Sequence, residues 1–116
     1  MERLYTRIAE PQFLGAPTAT VYTNPASTNT YIKSIVMFNS GTTPANVKLY
    51  NVPDDGGLVG VAAAVNQFLD VDLVARETFM FDLPYPITMI DAGDTLQGFC
   101  ALSEAVTIQI LGDIAQ

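Results

Sequence analysis

Apolar and polar residues alternate with a period of two along most of the chain. "FLDVDLV" sets Leu69, Val71 and Leu73 against Asp70 and Asp72, and "ANVKLYNV" sets Val47 and Leu49 against Lys48 and Tyr50. "AVTIQIL" directs Val106, Ile108 and Ile110 to one side and Thr107 and Gln109 to the other. Such alternation is the signature of a strand with one face buried. "TYIKSIVMFN" differs, with Ile32, Val36 and Phe38 on one parity and Tyr31, Ile35 and Met37 on the other. Two apolar faces predict a central strand covered on both sides. "TATVYTN", "ETFMFDL" and "TLQGFCAL" read as further strands.

Between these runs stand "NPAST", "NSGTTP", "VPDDGG", "PYP" and "DAGD", all turn or loop chemistry. Short strands at roughly ten-residue spacing predict an all-β fold, an antiparallel β-sandwich of jelly-roll type with about eight short strands. "GLVGVAAAVNQ" fits neither period, and it is expected to be a loop or short helical turn leading into "FLDVDLV". "LVARETF" and "IDAGDTL" share Ala-x-acid-Thr (Ala75 to Thr78, Ala92 to Thr95). Both are expected to be one turn design, in which the acid accepts backbone N–H bonds and the β-branched Thr restarts the strand.

The 116 residues fit one domain, divided into an N-terminal arm or first strand at 1–19 and a sandwich at 20–116. Residues 1–19 mix charges, aromatics and proline, which leaves open a strand on the chain's own core or an arm on a neighbour. The hydrophobic fraction is 49% and the charged fraction 15%, so some apolar surface is expected to be covered by another chain. The five basic residues, Arg3, Arg7, Lys33, Lys48 and Arg76, are scattered within a net charge of −7. Nucleic-acid binding and an electrostatic membrane anchor are therefore not expected. No signal peptide is expected in "MERLYTRIAE", and the apolar run at 58–65 is too short to span a bilayer.

Asp91 and Asp94 are the most site-like pair. A catalytic carboxylate pair needs a cleft and a raised pKa on one partner. Calcium needs six to eight oxygens, more than Asp91 and Asp94, or Asp70 and Asp72, supply. "PDDGG" at 53–57 reads as a surface turn. Cys100 has no histidine anywhere in the chain to activate it, and its strand parity makes it a small buried hydrophobe. The missing histidine also removes Ser-His-Asp catalysis and most zinc sites. The expectation is a non-enzyme with no cofactor and no metal.

The order Tyr22-Thr23-Asn24-Pro25-Ala26, "YIKSIVMFN" at 31–39, "VKLYNVP" at 47–53, Asp55-Gly56-Gly57, Glu77-Thr78, "AGDTL" at 92–96 and "VTIQI" at 106–110 resembles small β-sandwich structural proteins of tailed-bacteriophage virions. The resemblance covers roughly residues 20 to 112. It departs at Ser27 and Arg76, where glycine is usual, and at 58–66, which has no counterpart. It implies a capsid cement or decoration protein on the outer capsid, bridging major capsid subunits, with the major capsid protein and further copies of itself, such as a trimer, as partners. Arg3, Tyr5, Arg7, Phe13 and Leu14 are the expected partner contacts. The alternative is a tail, baseplate or fibre module, with Tyr50 and Tyr85 as glycan-binding candidates.

Overall fold

The computed structural model describes the backbone of residues 3–115, with side chains from residue 6 onward. Eight strands form it: β1 (Arg3–Phe13), β2 (Ala19–Thr23), β3 (Asn29–Asn39), β4 (Ala45–Val52), β5 (Gln67–Leu73), β6 (Thr78–Met89), β7 (Thr95–Cys100) and β8 (Val106–Ala115). All pairings are antiparallel: β1 with β8, β2 with β7, β3 with β6, β4 with β5. The chain is thus one long ribbon folded back on itself and rolled up. Further pairing of β3 with β8 and β4 with β7 closes two four-stranded sheets, β1-β8-β3-β6 and β2-β7-β4-β5. This is the jelly-roll sandwich that the strand pattern predicts.

The core fills the space between the sheets with Ile32, Ile35, Met37, Val47, Leu49, Leu73, Leu96, Val106, Ile108 and Ile110, all buried. The alternation read for β4, β5 and β8 holds. In β3 it does not, because Ile32 faces inward together with Ile35 and Met37, while Val36 and Phe38 face outward. A bulge causes the switch. Ile32 pairs with Gly112 and Ser34 with Leu111, so Lys33 is one extra residue in β3, and an extra residue reverses the parity of all that follow.

"PYP" is a second departure, since Pro84, Tyr85 and Pro86 lie within β6 and do not end it. Ile32 of β3 faces Ile87 and Ser34 faces Asp82, so the segment between bulges from the sheet. β6 is an edge strand, where a missing N–H breaks no ladder. The edge β5 presents Asp70 and Asp72, which share the amide of Asn46 at 2.8 and 2.9 Å. Charge and proline on these edges oppose strand addition from a neighbour.

The Ala-x-acid-Thr turns are one design used twice. Glu77 Oε1 accepts the N–H of Val74 at 2.9 Å, and Asp94 Oδ2 accepts that of Asp91 at 3.1 Å. Each turn is closed by a backbone bond, Glu77 N to Val74 O at 3.1 Å and Asp94 N to Asp91 O at 3.2 Å. Each has a left-handed third residue, Arg76 at φ 67° and Gly93 at φ 94°. Arg76 is exposed and occupies a conformation that disfavours a side chain. Arg76→Gly is expected to stabilise the fold by about 0.5 kcal/mol, the released strain outweighing the greater entropy of unfolded glycine. A higher urea midpoint at unchanged slope would show it, and a lower midpoint would contradict it.

Candidate functional site

The loops at one end of the sandwich bring the acidic candidates together. Residues 24–28 follow β2, residues 53–66 join β4 to β5, and residues 90–94 join β6 to β7. Carboxylate oxygens of Asp54, Asp91 and Asp94 lie within 4.8 Å of one another. Asp54 comes from the "PDDGG" segment, so two stretches read separately in the sequence meet here. No regular spacing links them, and only the rolled topology makes them neighbours.

The geometry assigns Asp94 and one oxygen of Asp54 to holding backbone, while Asp91 is exposed and contributes its N–H. Asp94 is 9% exposed, and its Oδ1 accepts the N–H of Asp54 at 2.9 Å while its Oδ2 accepts that of Asp91. Asp54 Oδ2 in turn accepts the N–H of Gly57 at 2.8 Å. Gly93 fits against this loop closely enough that a Cβ would meet Gly57 O at 2.9 Å and Leu58 O at 3.0 Å. Both lobes of Asp94 are thus committed to amide donors, an arrangement suited to fixing the long loop against the β6–β7 turn. Asp94→Asn keeps one acceptor and turns an NH2 toward a backbone N–H, with an expected loss of about 1–2 kcal/mol in urea unfolding. Millimolar calcium is expected to leave the melting temperature of the wild-type chain unchanged, whereas a rise would reveal a cation site.

An asparagine on each end clasps one of the paired turns, a feature sequence reading missed. Asn24 donates its N–H to Asp94 O at 2.8 Å and accepts the N–H of Gly93 at 3.1 Å. Its Nδ2 reaches Thr28 O and Asp91 O at 2.9 and 3.1 Å. At the far end, Asn39 donates its N–H to Glu77 O at 3.0 Å and accepts that of Arg76 at 2.8 Å. Its Nδ2 reaches Thr43, Leu73 and Val74 carbonyls at 3.0, 3.0 and 3.3 Å. The signal was present as Asn with Thr four residues on, in "NPAST" and "NSGTT".

The long loop is pinned but apolar on its surface. Gln97 Nε2 donates to Gly60 O at 3.0 Å, and Asp55 and Leu58 exchange backbone bonds at 2.7 and 3.1 Å. Residues 58–66 form a loop with one 3-10 turn, Ala64–Asn66, in agreement with the sequence reading. Leu58, Val59, Val61 and Val65 are exposed on it, Val61 at 87% and Val65 at 89%. Ile90, beside the acidic turn, is exposed as well.

The expected partner contacts are spread through the fold. Residues 3–13 pair with β8 as an edge strand, and the side chains of Arg3 and Tyr5 lie outside the described residues. Arg7 is exposed and bonds Glu10 at 3.1 Å. Phe13 is half-exposed on the outer face of its sheet, opposite Thr107, which also pairs with Phe38. Leu14 requires a correction: at 3% exposure it is buried, its Cδ2 filling the space that a side chain at Gly98 would take, and it is not offered to a partner. Cys100 is fully buried, as its parity indicated. Tyr50 is half-buried opposite Gln97, whereas Tyr85 stands out from the β6 bulge. Between edge strands β5 and β6 an apolar recess of about 270 Å³ is lined by Asn51, Phe68, Phe81, Leu83 and Ile87.

No protein-family model and no curated protein matches the chain. Among solved structures it is similar to a chain of the Bacillus endospore appendages, which form a family of disulfide-linked pili. The match covers 98% of this chain and 88% of that one, at a TM-score of 0.50 and 15% identity. At this identity the likeness is one of fold: an antiparallel β-sandwich.

Proposed function

We propose that this chain is a non-enzymatic structural protein of a tailed-phage virion, a cement or decoration protein on the outer capsid that bridges major capsid subunits. The observation that carries the reading is the loop 53–66, which holds apolar side chains in solvent while both oxygens of the neighbouring Asp94 are spent on backbone. Water-exposed apolar groups on a pinned loop suit docking, since little ordering entropy is lost on contact. The resemblance of the strand and turn order to small virion sandwich proteins and the net charge of −7, unsuited to a surface facing packaged DNA, support the same reading. Jelly rolls also build viral capsids, which is support by analogy of fold. Each copy stabilises the shell by mass action, binding the assembled lattice more tightly than separated subunits.

A disulfide-linked appendage is a poorer reading, because the chain's single cysteine, Cys100, is fully buried. A tail, baseplate or fibre module that binds glycans is the second reading, favoured by Tyr85, exposed between two prolines on the β6 bulge. Electron cryo-microscopy of the particle separates the two. Copies on the capsid are expected, and copies confined to the tail would remove the cement reading. Heads stripped of the chain should lose heat resistance, and unchanged resistance would argue against stapling.

A further inference from the structure

We infer that the loop end of the sandwich is the docking surface, and that it fits a partner with an apolar pocket rimmed by lysine or arginine. This rests on the structural-protein reading and replaces residues 1–19 with another part of the chain as the main contact. The apolar crest consists of Leu58, Val59, Val61 and Val65 of the β4–β5 loop and Ile90 of the β6–β7 turn, all exposed. It starts at the loop end of the sandwich and runs back over the outer face of β2 and β7, where Val59 and Val61 border Thr18, Ala19, Thr20 and Gln97. The two segments are locked together through Asp54 N to Asp94 Oδ1, and through the close approach of Gly93 to the carbonyls of Gly57 and Leu58. The crest is thus presented as a preformed shape.

Charge selects the occupant. Asp54, Asp55 and Asp91 border the crest, and no lysine or arginine occurs in 24–28, 53–66 or 90–94. A second copy docked by the same end would set these carboxylates against their own kind, a juxtaposition that opposes pairing. A basic rim turns the same carboxylates into favourable partners and steers approach, while the apolar centre supplies the affinity. The acidic end therefore points to a cationic, apolar pocket on a different protein.

The test uses the full chain with phage heads and tails purified from particles lacking it. Val61→Ser with Val65→Ser is expected to weaken binding about tenfold or more, because both side chains are exposed and the fold does not need them. Asp55→Asn with Asp91→Asn is expected to weaken binding at low salt and to flatten its salt dependence. Val36→Ser with Met80→Ser, on the outer face of the other sheet, serves as the control and should bind like wild type. Wild-type binding with unaffected crest variants would overturn this surface while leaving the structural reading intact. Equal loss in the control would also overturn it. A wild-type chain that binds neither heads nor tails would remove both. Light scattering that shows oligomers of the free chain abolished by the crest substitutions would assign the crest to a second copy, against the inference.

Discussion

Asn39→Ala is expected to lower the stability of the fold by about 3 kcal/mol, a large share of the roughly 5–15 kcal/mol available to a domain. Asn39 is fully buried, and its side chain serves four backbone groups: the carbonyls of Thr43, Leu73 and Val74 through Nδ2, and the N–H of Gly41 through Oδ1 at 2.9 Å. Alanine removes the side-chain partner of all four, and although Val74 O keeps the N–H of Glu77, water enters a tight turn poorly to replace the rest. A fall of about 10 °C in melting temperature follows for a chain of this size. Asn39→Asp separates polarity from geometry. It retains the acceptor for Gly41 but places a carboxylate against carbonyl oxygens, so it should be at least as damaging as alanine. Aspartate behaving like wild type would show that the carbonyl contacts contribute little. Urea unfolding of both variants decides the matter.

Gly112→Ala is expected to be as severe or worse, at about 3 kcal/mol or more, with much of the protein recovered as insoluble material. A Cβ at Gly112 would overlap the carbonyl oxygen of Tyr31 and lie 3.0 Å from its carbon and 3.1 Å from Lys33 N. These are backbone atoms of β3 at its bulge, and β3 is held on both sides by β8 and β6. A side chain in the way can rotate, but a strand in the centre of a sheet can move only by giving up ladder bonds. The neighbouring ion pair, Lys33 Nζ to Asp113 Oδ2 at 2.8 Å, sits on the same bulge and would be disturbed with it. A soluble variant with an unchanged urea midpoint would show that β3 yields more easily than its ladders imply.

Much of the fold was legible because a two-sided sheet imposes a period of two. Val47, Leu49, Val71, Leu73, Ile108 and Ile110 could be placed on the core side from alternation alone. The turns at 74–77 and 91–94 were legible because an acid three residues beyond a free N–H can satisfy it locally. Where a strand departs from regular pleating, the reading failed. Lys33 reversed the parity of β3, and Pro84 and Pro86 passed for a strand end because their tolerance on a sheet edge depends on which strand is the edge. Leu14 passed for a surface contact because its burial depends on Gly98, 84 positions further along the chain.

The same division separates the candidate chemistry from the candidate surface. The sequence by itself determined the sandwich class, the paired acid turns and the burial of Cys100, since each depends on residues within a few positions of one another. Only the tertiary structure decided that Asp54 meets Asp91 and Asp94, that Asn24 and Asn39 clasp the two turns, and that the loop bearing Leu58, Val61 and Val65 is fastened to the turn that follows Ile90. These are contacts between segments tens of residues apart, and they exist because strand k pairs with strand 9 − k when the ribbon rolls. Local periodicity carries no record of that closure, so the surface on which the functional reading rests becomes visible only in three dimensions.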